Sequence, residues 1–223
     1  MNDDQPFIRW DWIVDNLDQI GVRLGEHVLL TVLAVGIGFL ISFALALLIR
    51  RYRTLEAPII GLGGILYSIP SLALFAMLVP FTGIQNPLTA EIALVSYTIL
   101  ILLRNILAGF SSVPREVLEA ADGMGYTASQ RLWRVELPIA LPVMVAGLRI
   151  ATVTIIGLVT VTALIGLGGL GYFIVDVGYR RFFLTATIVG SVGAVLLAVF
   201  ADRAFVVLQR ALTPWAARRR AGG

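Results

Sequence analysis

Between Val28 and Ile49 the chain carries no charged side chain. The run is long enough for one α-helix to cross a hydrocarbon core, which takes about 20 mainly apolar residues. Comparable stretches recur at about Pro58–Val79, Leu88–Gly109, Leu141–Ile165 and Ala186–Leu208. The expectation is an all-α integral membrane protein with five transmembrane helices and its two termini on opposite sides.

Composition narrows the chemistry. Hydrophobic residues make up 58% of the chain and charged residues 14%, against about 25% charged in an ordinary soluble domain. Every one of the 17 basic residues is arginine, cysteine is absent and His27 is the lone histidine. Disulfides, thiolate metal sites, a cysteine nucleophile, lysine Schiff-base chemistry and the lysine of a phosphate-binding P-loop are therefore excluded, and one histidine does not build a metal centre. No catalytic residue and no metal site is expected. If ATP drives this protein, another chain binds it.

One motif points the other way. Gly166, Gly168 and Gly171 in "TVTALIGLGGLGYF" spell G-x-G-x-x-G after a β-branched run. A dinucleotide-binding turn also needs an acidic residue about 20 positions further on. Asp176 comes too early and Asp202 too late, and the stretch falls on the outer side of the membrane, away from cytoplasmic nucleotide.

That sidedness rests on the arginines, since cytoplasmic loops retain basic residues near span ends. Arg50, Arg51 and Arg53, then Arg115, Arg131 and Arg134, and finally Arg218, Arg219 and Arg220 fall on one side, expected to be cytoplasmic. The opposite side has Arg9 and Arg23 among six acidic residues ahead of the first span, and only Arg180 and Arg181 before the fifth. The N-terminus is expected outside and the C-terminus inside. No basic region or cleavage site marks a signal peptide ahead of the first span. Residues 1–27 read as an extracytoplasmic segment, 28–208 as the transmembrane domain and 209–223 as an arginine-rich cytoplasmic tail. Phe7, Trp10, Ile13, Val14, Leu17, Ile20 and Leu24 recur at helical spacing. They suit an interfacial helix, with Trp10 and Trp12 at headgroup level, or an outward extension of the first span.

The stretch "SSVPREVLEAADGMGYTASQRLWRVELPIALP", from Ser111 to Pro142, is long, polar and patterned. Pro114 suits a helix start, with Ser111 or Ser112 near the cap, and Gly123 and Gly125 stop that helix. A second short helix is expected from about Ala128 to Val135, started by Thr127 or Ser129 and ending before Pro138, which with Pro142 sets the approach to the fourth span. Two short helices around a glycine turn make a knob projecting from the membrane.

Glu119, Ala120, Ala121, Gly125, Val135, Leu137 and Pro138 match E-A-A-x3-G-x9-I-x-L-P with valine for isoleucine. This resembles the signature of ABC importer permeases. In that family segment 111–138 would be the coupling helix that docks in a groove of a cytoplasmic ATPase. Small Ala120 and Ala121 permit close approach, Glu119 offers an acceptor, and Gly123 and Gly125 close the turn. Together with "LYSIPSLALFAMLVPFTGI", "ILLRNILAGF", "VELPIALPVMVAGLRIATV" and "ALIGLGGLG", the motif looks like the branch that imports quaternary amine osmoprotectants: glycine betaine, carnitine and choline. The resemblance implies the type I ABC importer (MetI-like) permease fold in a bacterial cytoplasmic membrane. It also implies cytoplasmic ATPase subunits that bind ATP and Mg, a second permease copy or homologous permease, a separate extracellular or periplasmic binding protein, and contact with membrane lipid but not nucleic acid. Gly166, Gly168, Gly169 and Gly171 would lie near an outer gate. Importers of other small zwitterions or amino acid derivatives, of ergothioneine or methionine type, share the pattern.

Polar residues inside the spans are candidates for the path: Tyr67, Ser68 and Ser71 around Pro70; Ser96, Tyr97 and Asn105; and Thr152, Thr154, Thr160 and Thr162. Serine and threonine also satisfy their own helix backbone and pack between helices. Pro70 is expected to kink the second span. Arg104 and Arg149 would snorkel or pair with an acid such as Glu136. Gly36, Gly38, Gly61, Gly63 and Gly64 suit close helix packing. A secondary transporter or channel, the competing class, would need an intramembrane coupling acid or an inverted repeat. Glu91 is the acid considered for that role, and no repeat is seen.

Overall fold

The computed structural model describes residues 7–212, which are helical and loop without strand. Asp3, Asp4 and the tail arginines Arg218, Arg219 and Arg220 lie outside the described residues. A short helix α1 (Trp10–Asp15) precedes α2 (Leu17–Arg51). A 3-10 turn (Arg53–Leu55) then leads into α3 (Glu56–Ser68), α4 (Ser71–Thr82) and α5 (Pro87–Ser111). The knob segment holds α6 (Arg115–Gly123) and α7 (Ala128–Arg131), followed by a π-helical turn (Leu132–Glu136) and α8 (Leu137–Val161). A 3-10 turn (Thr162–Ile165), the glycine loop and a second π-helical stretch (Phe173–Tyr179) lead to α9 (Leu184–Leu212).

Among the described residues four helices are long and apolar enough to cross a membrane: 17–51, 87–111, 128–165 and 184–212. The stretch expected as the second span is instead two helices, Arg53–Ser68 and Ser71–Thr82, meeting at 96°. Pro70 causes the break. Its ring forces the preceding residue out of the helical region, and Ile69 sits extended at φ −68°, ψ 128°. The expected kink is thus a full interruption. The Ile69 carbonyl it frees accepts a hydrogen bond from the Tyr97 hydroxyl of α5.

Of the two readings open for the segment before the first span, the outward extension describes most of it. α2 is already helical at Leu17, and α1 is only a short cap on its N-terminal end. Trp12 packs edge-on against Phe173 and Phe183, with ring centroids 6.0 and 5.1 Å apart. The Arg9 N–H donates to the Thr185 hydroxyl at 3.1 Å. These contacts dock α1 onto the start of α9.

α5 is the central rod, with Ala93, Leu94, Leu102, Leu103 and Ile106 buried between α2, α4 and α8. Lipid is as apolar as leucine, so these helices associate by close packing rather than by the hydrophobic effect. The chain meets that need with small residues at crossings. A methyl group on Gly38 would strike Thr98, and one on Gly147 would overlap Asn105. Gly63 lies against Leu100 with slightly more room, whereas Gly36, Gly61 and Gly64 face open space among the described residues. No residue of α3 is buried, and only 17% of the apolar window of α9 is.

Candidate functional site

The knob is built from local rules. Pro114 takes extended angles at the cap of α6, φ −60° and ψ 142°. Ser111 and Ser112 do not cap it. Ser111 is the last residue of α5, and the Ser112 hydroxyl donates to the Gly109 carbonyl at 2.7 Å. At the far end Gly125 adopts φ +79°, a left-handed angle that glycine takes without a Cβ penalty. Its N–H donates to the Asp122 carbonyl at 2.9 Å, and the Tyr126 N–H to the Ala121 carbonyl at 3.2 Å. Thr127, rather than Ser129, then starts α7. Its hydroxyl accepts from the Gln130 N–H at 3.3 Å while the Gln130 side chain accepts from the Thr127 N–H at 2.9 Å.

The second short helix does not end before Pro138. Residues 128–165 form one continuous helical rod. The π turn at Leu132–Glu136 precedes α8, and Pro138 falls in the first turn of that helix, where its missing N–H is tolerated. Of the motif residues, Glu119, Ala120, Gly123 and Gly125 are exposed, Ala121 is buried, and Val135, Leu137 and Pro138 are half-buried under the knob. Met124 and Trp133 add exposed apolar surface nearby.

Beneath the knob lies a charge cluster. Glu136 is 2% exposed. One carboxylate oxygen pairs with Arg50 at the end of α2, and the other accepts from Arg131 Nε at 3.0 Å. Arg131 Nη1 also holds both oxygens of Asp122, the residue after Ala121, at 2.7 and 2.6 Å. The Arg50 guanidinium rests on the Phe110 ring, 4.3 Å from its centroid. A buried carboxylate with two arginines, one shared with a second acid, forms a neutral cluster that ties the knob to the ends of α2 and α5. Glu136 is thus paired with Arg50 and Arg131, not with Arg104 or Arg149.

Arg149 has another partner. Its guanidinium forms a two-point ion pair with Asp202 of α9, Nε to Oδ1 and Nη2 to Oδ2, the latter at 3.0 Å. Asp202 stands inside the fifth apolar stretch, and its pairing with Arg149 was not anticipated from the sequence. A charge within an apolar run is the signal that would have found it.

The polar span residues mostly serve their own helices. Ser68 donates to the Gly64 carbonyl, Ser96 to Ile92 and Asn105 to Ile101. Thr152 donates to Leu148, Thr160 to Gly157 and Thr162 to Val159. Thr154 differs: among the described residues its hydroxyl has no hydrogen-bond partner, and it lines a cavity of about 300 Å³ beside Arg149 and Asp202. Tyr67 is exposed and meets Tyr97 edge-on, with ring centroids 5.8 Å apart. Ser71 begins α4 just past Pro70. Both carboxylate oxygens of Glu91 are buried and, among the described residues, without a partner.

At the opposite end from the knob, the glycine loop is fastened to α2. Buried His27 receives the Leu170 N–H on Nδ1 at 3.2 Å and donates from Nε2 to the Ile156 carbonyl at 3.0 Å. These two bonds fix the neutral ring with its proton on Nε2. Glu26 accepts the Gly169 N–H at 2.9 Å and pairs with Arg23, whose guanidinium lies 4.1 Å from the centroid of the Tyr172 ring. The Gln85 N–H donates to the Ile165 carbonyl at 3.2 Å, joining the loop to the turn before α5. Gly171 has no room for a side chain, since a methyl group there would overlap the Thr160 carbonyl. Gly166 and Gly169 take left-handed angles, φ +79° and +78°.

The knob thus presents an acidic and small-residue face at one end of a helical rod that runs through the apolar bundle. Residues 34–214 match the family model of the binding-protein-dependent transport system inner membrane component. The chain belongs to this family. Such a component works in an ABC importer alongside ATPase subunits and a substrate-binding protein. The choline transport system permease protein OpuBB of Bacillus subtilis is 35% identical over 189 residues, 85% of this chain and 86% of that protein. The osmoprotectant import permease protein OsmW of Salmonella typhimurium is 35% identical over 207 residues, 91% of this chain and 96% of its own length. Among solved structures, an inward-facing form of the MetNI methionine ABC transporter superposes with a TM-score of 0.77 at 26% identity, covering 87% of this chain and 97% of that one. An amino acid ABC transporter structure shares the fold, with a TM-score of 0.78 at 18% identity over 91% of this chain and 98% of that one.

Proposed function

We propose that this chain is the permease subunit of an ATP-driven importer of quaternary amine osmoprotectants, of the glycine betaine, carnitine and choline type. The observation that carries this reading is the likeness to the choline and osmoprotectant permeases over most of both chains, joined to a knob whose Glu119 and Ala120 face outward. The broken α3–α4 pair serves as one span, giving five, with the N-terminus outside and the C-terminus in the cytoplasm of a bacterial cell. The arginine distribution supports that orientation.

In this reading two copies, or this chain and a homologous permease, form the pathway. The largely exposed α3 and α9 offer surface for that contact. ATP and Mg are held by ATPase subunits beneath the knobs, and a binding protein delivers cargo from outside. Closure of the ATPases draws the knobs together. Because α7 continues through the π turn into α8 as one helical run, that movement is carried past the π turn and Pro142 toward the middle of the bundle. The rod ends at the glycine loop, where the contacts of Arg23, Glu26 and His27 hold an outer gate that the same movement releases. Tyr67, Ser68, Ser71, Ser96, Tyr97, Asn105, Thr152, Thr154, Thr160 and Thr162 are the polar positions along the path, and the bonds that most of them make within their own helices suit weak contacts that release cargo.

The test is uptake. The permease complex with its ATPase and binding protein, in proteoliposomes, should accumulate labelled glycine betaine, carnitine or choline only with ATP present. Transport of ergothioneine or methionine in place of all three would replace the substrate assignment.

A further inference from the structure

A paired arginine and aspartate in the middle of an apolar bundle calls for a reason. Arg149 lies twelve residues from each end of α8 (149 − 137 and 161 − 149), about 18 Å along the helix axis from either terminus at 1.5 Å per residue. Its guanidinium is held there by Asp202 of α9 rather than reaching toward a membrane surface. Yet the pair is not sealed inside the bundle: the Arg149 side chain is 41% exposed and that of Asp202 28%. Charged side chains at mid-span are costly against hydrocarbon and face protein or a water-filled cavity. The face of α8 and α9 that carries them is therefore one that protein or water covers in the assembled importer, not lipid. Beside the pair lies a cavity of about 300 Å³, lined by Ala146, Arg149, Ile150, Val153, Thr154 and Asp202. That is the lower end of the range for small-molecule sites.

We propose that the Arg149–Asp202 pair and this cavity form a mid-membrane subsite for a small zwitterion carrying a carboxylate and a quaternary ammonium group. The proposal rests on the importer reading above and names the contact its cargo makes on the way through. Nε and Nη2 of Arg149 are engaged by Asp202. Among the described residues Nη1 has no partner, so it can donate to an incoming carboxylate while the guanidinium stays paired. A quaternary ammonium has no N–H and needs only a nearby negative charge, which the Asp202 carboxylate supplies. The Thr154 hydroxyl, also without a partner, is a further donor to the carboxylate. The empty site is neutral and so is the occupied one. A lone arginine or aspartate would instead hold a counter-ion at the same depth. Binding and release thus proceed without moving net charge into the membrane, which keeps the contact weak enough to let cargo pass.

The chain has no cysteine, so Thr154→Cys introduces a single reactive thiol at the cavity. The assembled permease–ATPase complex carrying it is treated with a charged, water-soluble methanethiosulfonate reagent, without ATP and without binding protein. Labelling should occur, and glycine betaine at a concentration filling two-thirds of the sites should slow it about threefold. Choline, which has no carboxylate, should protect less. Adding Arg149→Gln with Asp202→Asn, which removes both charges and leaves polar side chains in place, should abolish the protection. A thiol that does not label, labelling that glycine betaine does not slow, protection by choline equal to that by glycine betaine, or protection that survives the neutral pair would each overturn the subsite. Uptake by the complex without substitutions separates the two levels: if it moves glycine betaine but shows no protection, the subsite alone fails, and if it moves no quaternary amine, the importer reading fails first.

Discussion

Glu136 and Arg50, 86 residues apart in the chain, meet in an ion pair whose carboxylate is 2% exposed. The pair joins the end of the first long helix to the turn beneath the knob, and Arg131 extends it to Asp122 on α6. Breaking a buried pair from one side leaves an uncompensated charge and costs about 3–5 kcal/mol. Glu136→Ala should therefore lower the thermal unfolding midpoint of the purified complex sharply, because it strands two arginines. Asp122→Ala removes a half-exposed partner and should cost under about 1 kcal/mol. Equal effects of the two would contradict the hub.

Gly125 tests the turn separately from the fold. Its φ of +79° disfavours any L-residue, yet a Cβ there would meet nothing within 4 Å among the described residues. Gly125→Val should cost about 1–2 kcal/mol of local strain, leaving the protein in the membrane at normal abundance while abolishing substrate-stimulated ATP hydrolysis. Abundance is read by immunoblot of membranes and coupling by phosphate release. Full stimulation in this variant would remove the knob from the coupling path.

The glycine loop makes an ordered prediction. A methyl group at Gly171 would overlap the backbone carbonyl of Thr160, whereas one at Gly168 would overlap the Glu26 carboxylate, a side chain that can swing away. Gly171→Ala should be the more damaging by thermal unfolding and by transport. Glu26→Ala should partly rescue Gly168→Ala and leave Gly171→Ala unimproved. A double-mutant comparison of the four variants reads the coupling directly.

At the break in the second apolar stretch, Tyr97→Phe leaves the Ile69 carbonyl without its donor. A fully buried acceptor left unpaired costs about 1–3 kcal/mol, and half-buried Ile69 should lose toward the lower end of that. The loss should appear as a lower unfolding midpoint that Pro70→Ala reduces, since an uninterrupted helix would satisfy the same carbonyl internally.

What the sequence disclosed, and what it withheld, divides along physical lines. Apolar runs announce helices in lipid, so α2, α5, α8 and α9 fall where hydropathy places them, and the turn residues Pro114, Gly125 and Thr127 act through local backbone geometry that any reader of the chain can apply. Pro70 was legible as a disruption but not in degree, because whether a proline kinks or breaks a helix depends on what its freed carbonyl finds, here Tyr97. Pro138 was misread as a helix stop. A proline in the first turn is tolerated, and the π turn ahead of it carries the helix through. The pairings of Arg50 with Glu136 and of Arg149 with Asp202 span 86 and 53 residues, and no local pattern encodes which acid an arginine will meet. The attachment of the glycine loop to Glu26 and His27 is hidden for the same reason, since it spans 143 residues.

ATP-coupled uptake is the decisive measurement. In proteoliposomes holding the permease, its ATPase and a glycine betaine-loaded binding protein, hydrolysis should rise when the loaded binding protein is added, and labelled glycine betaine should accumulate in step with it. Gly125→Val should abolish both. Accumulation of glycine betaine that proceeds without the ATPase subunits, driven by an ion gradient alone, would contradict the assignment.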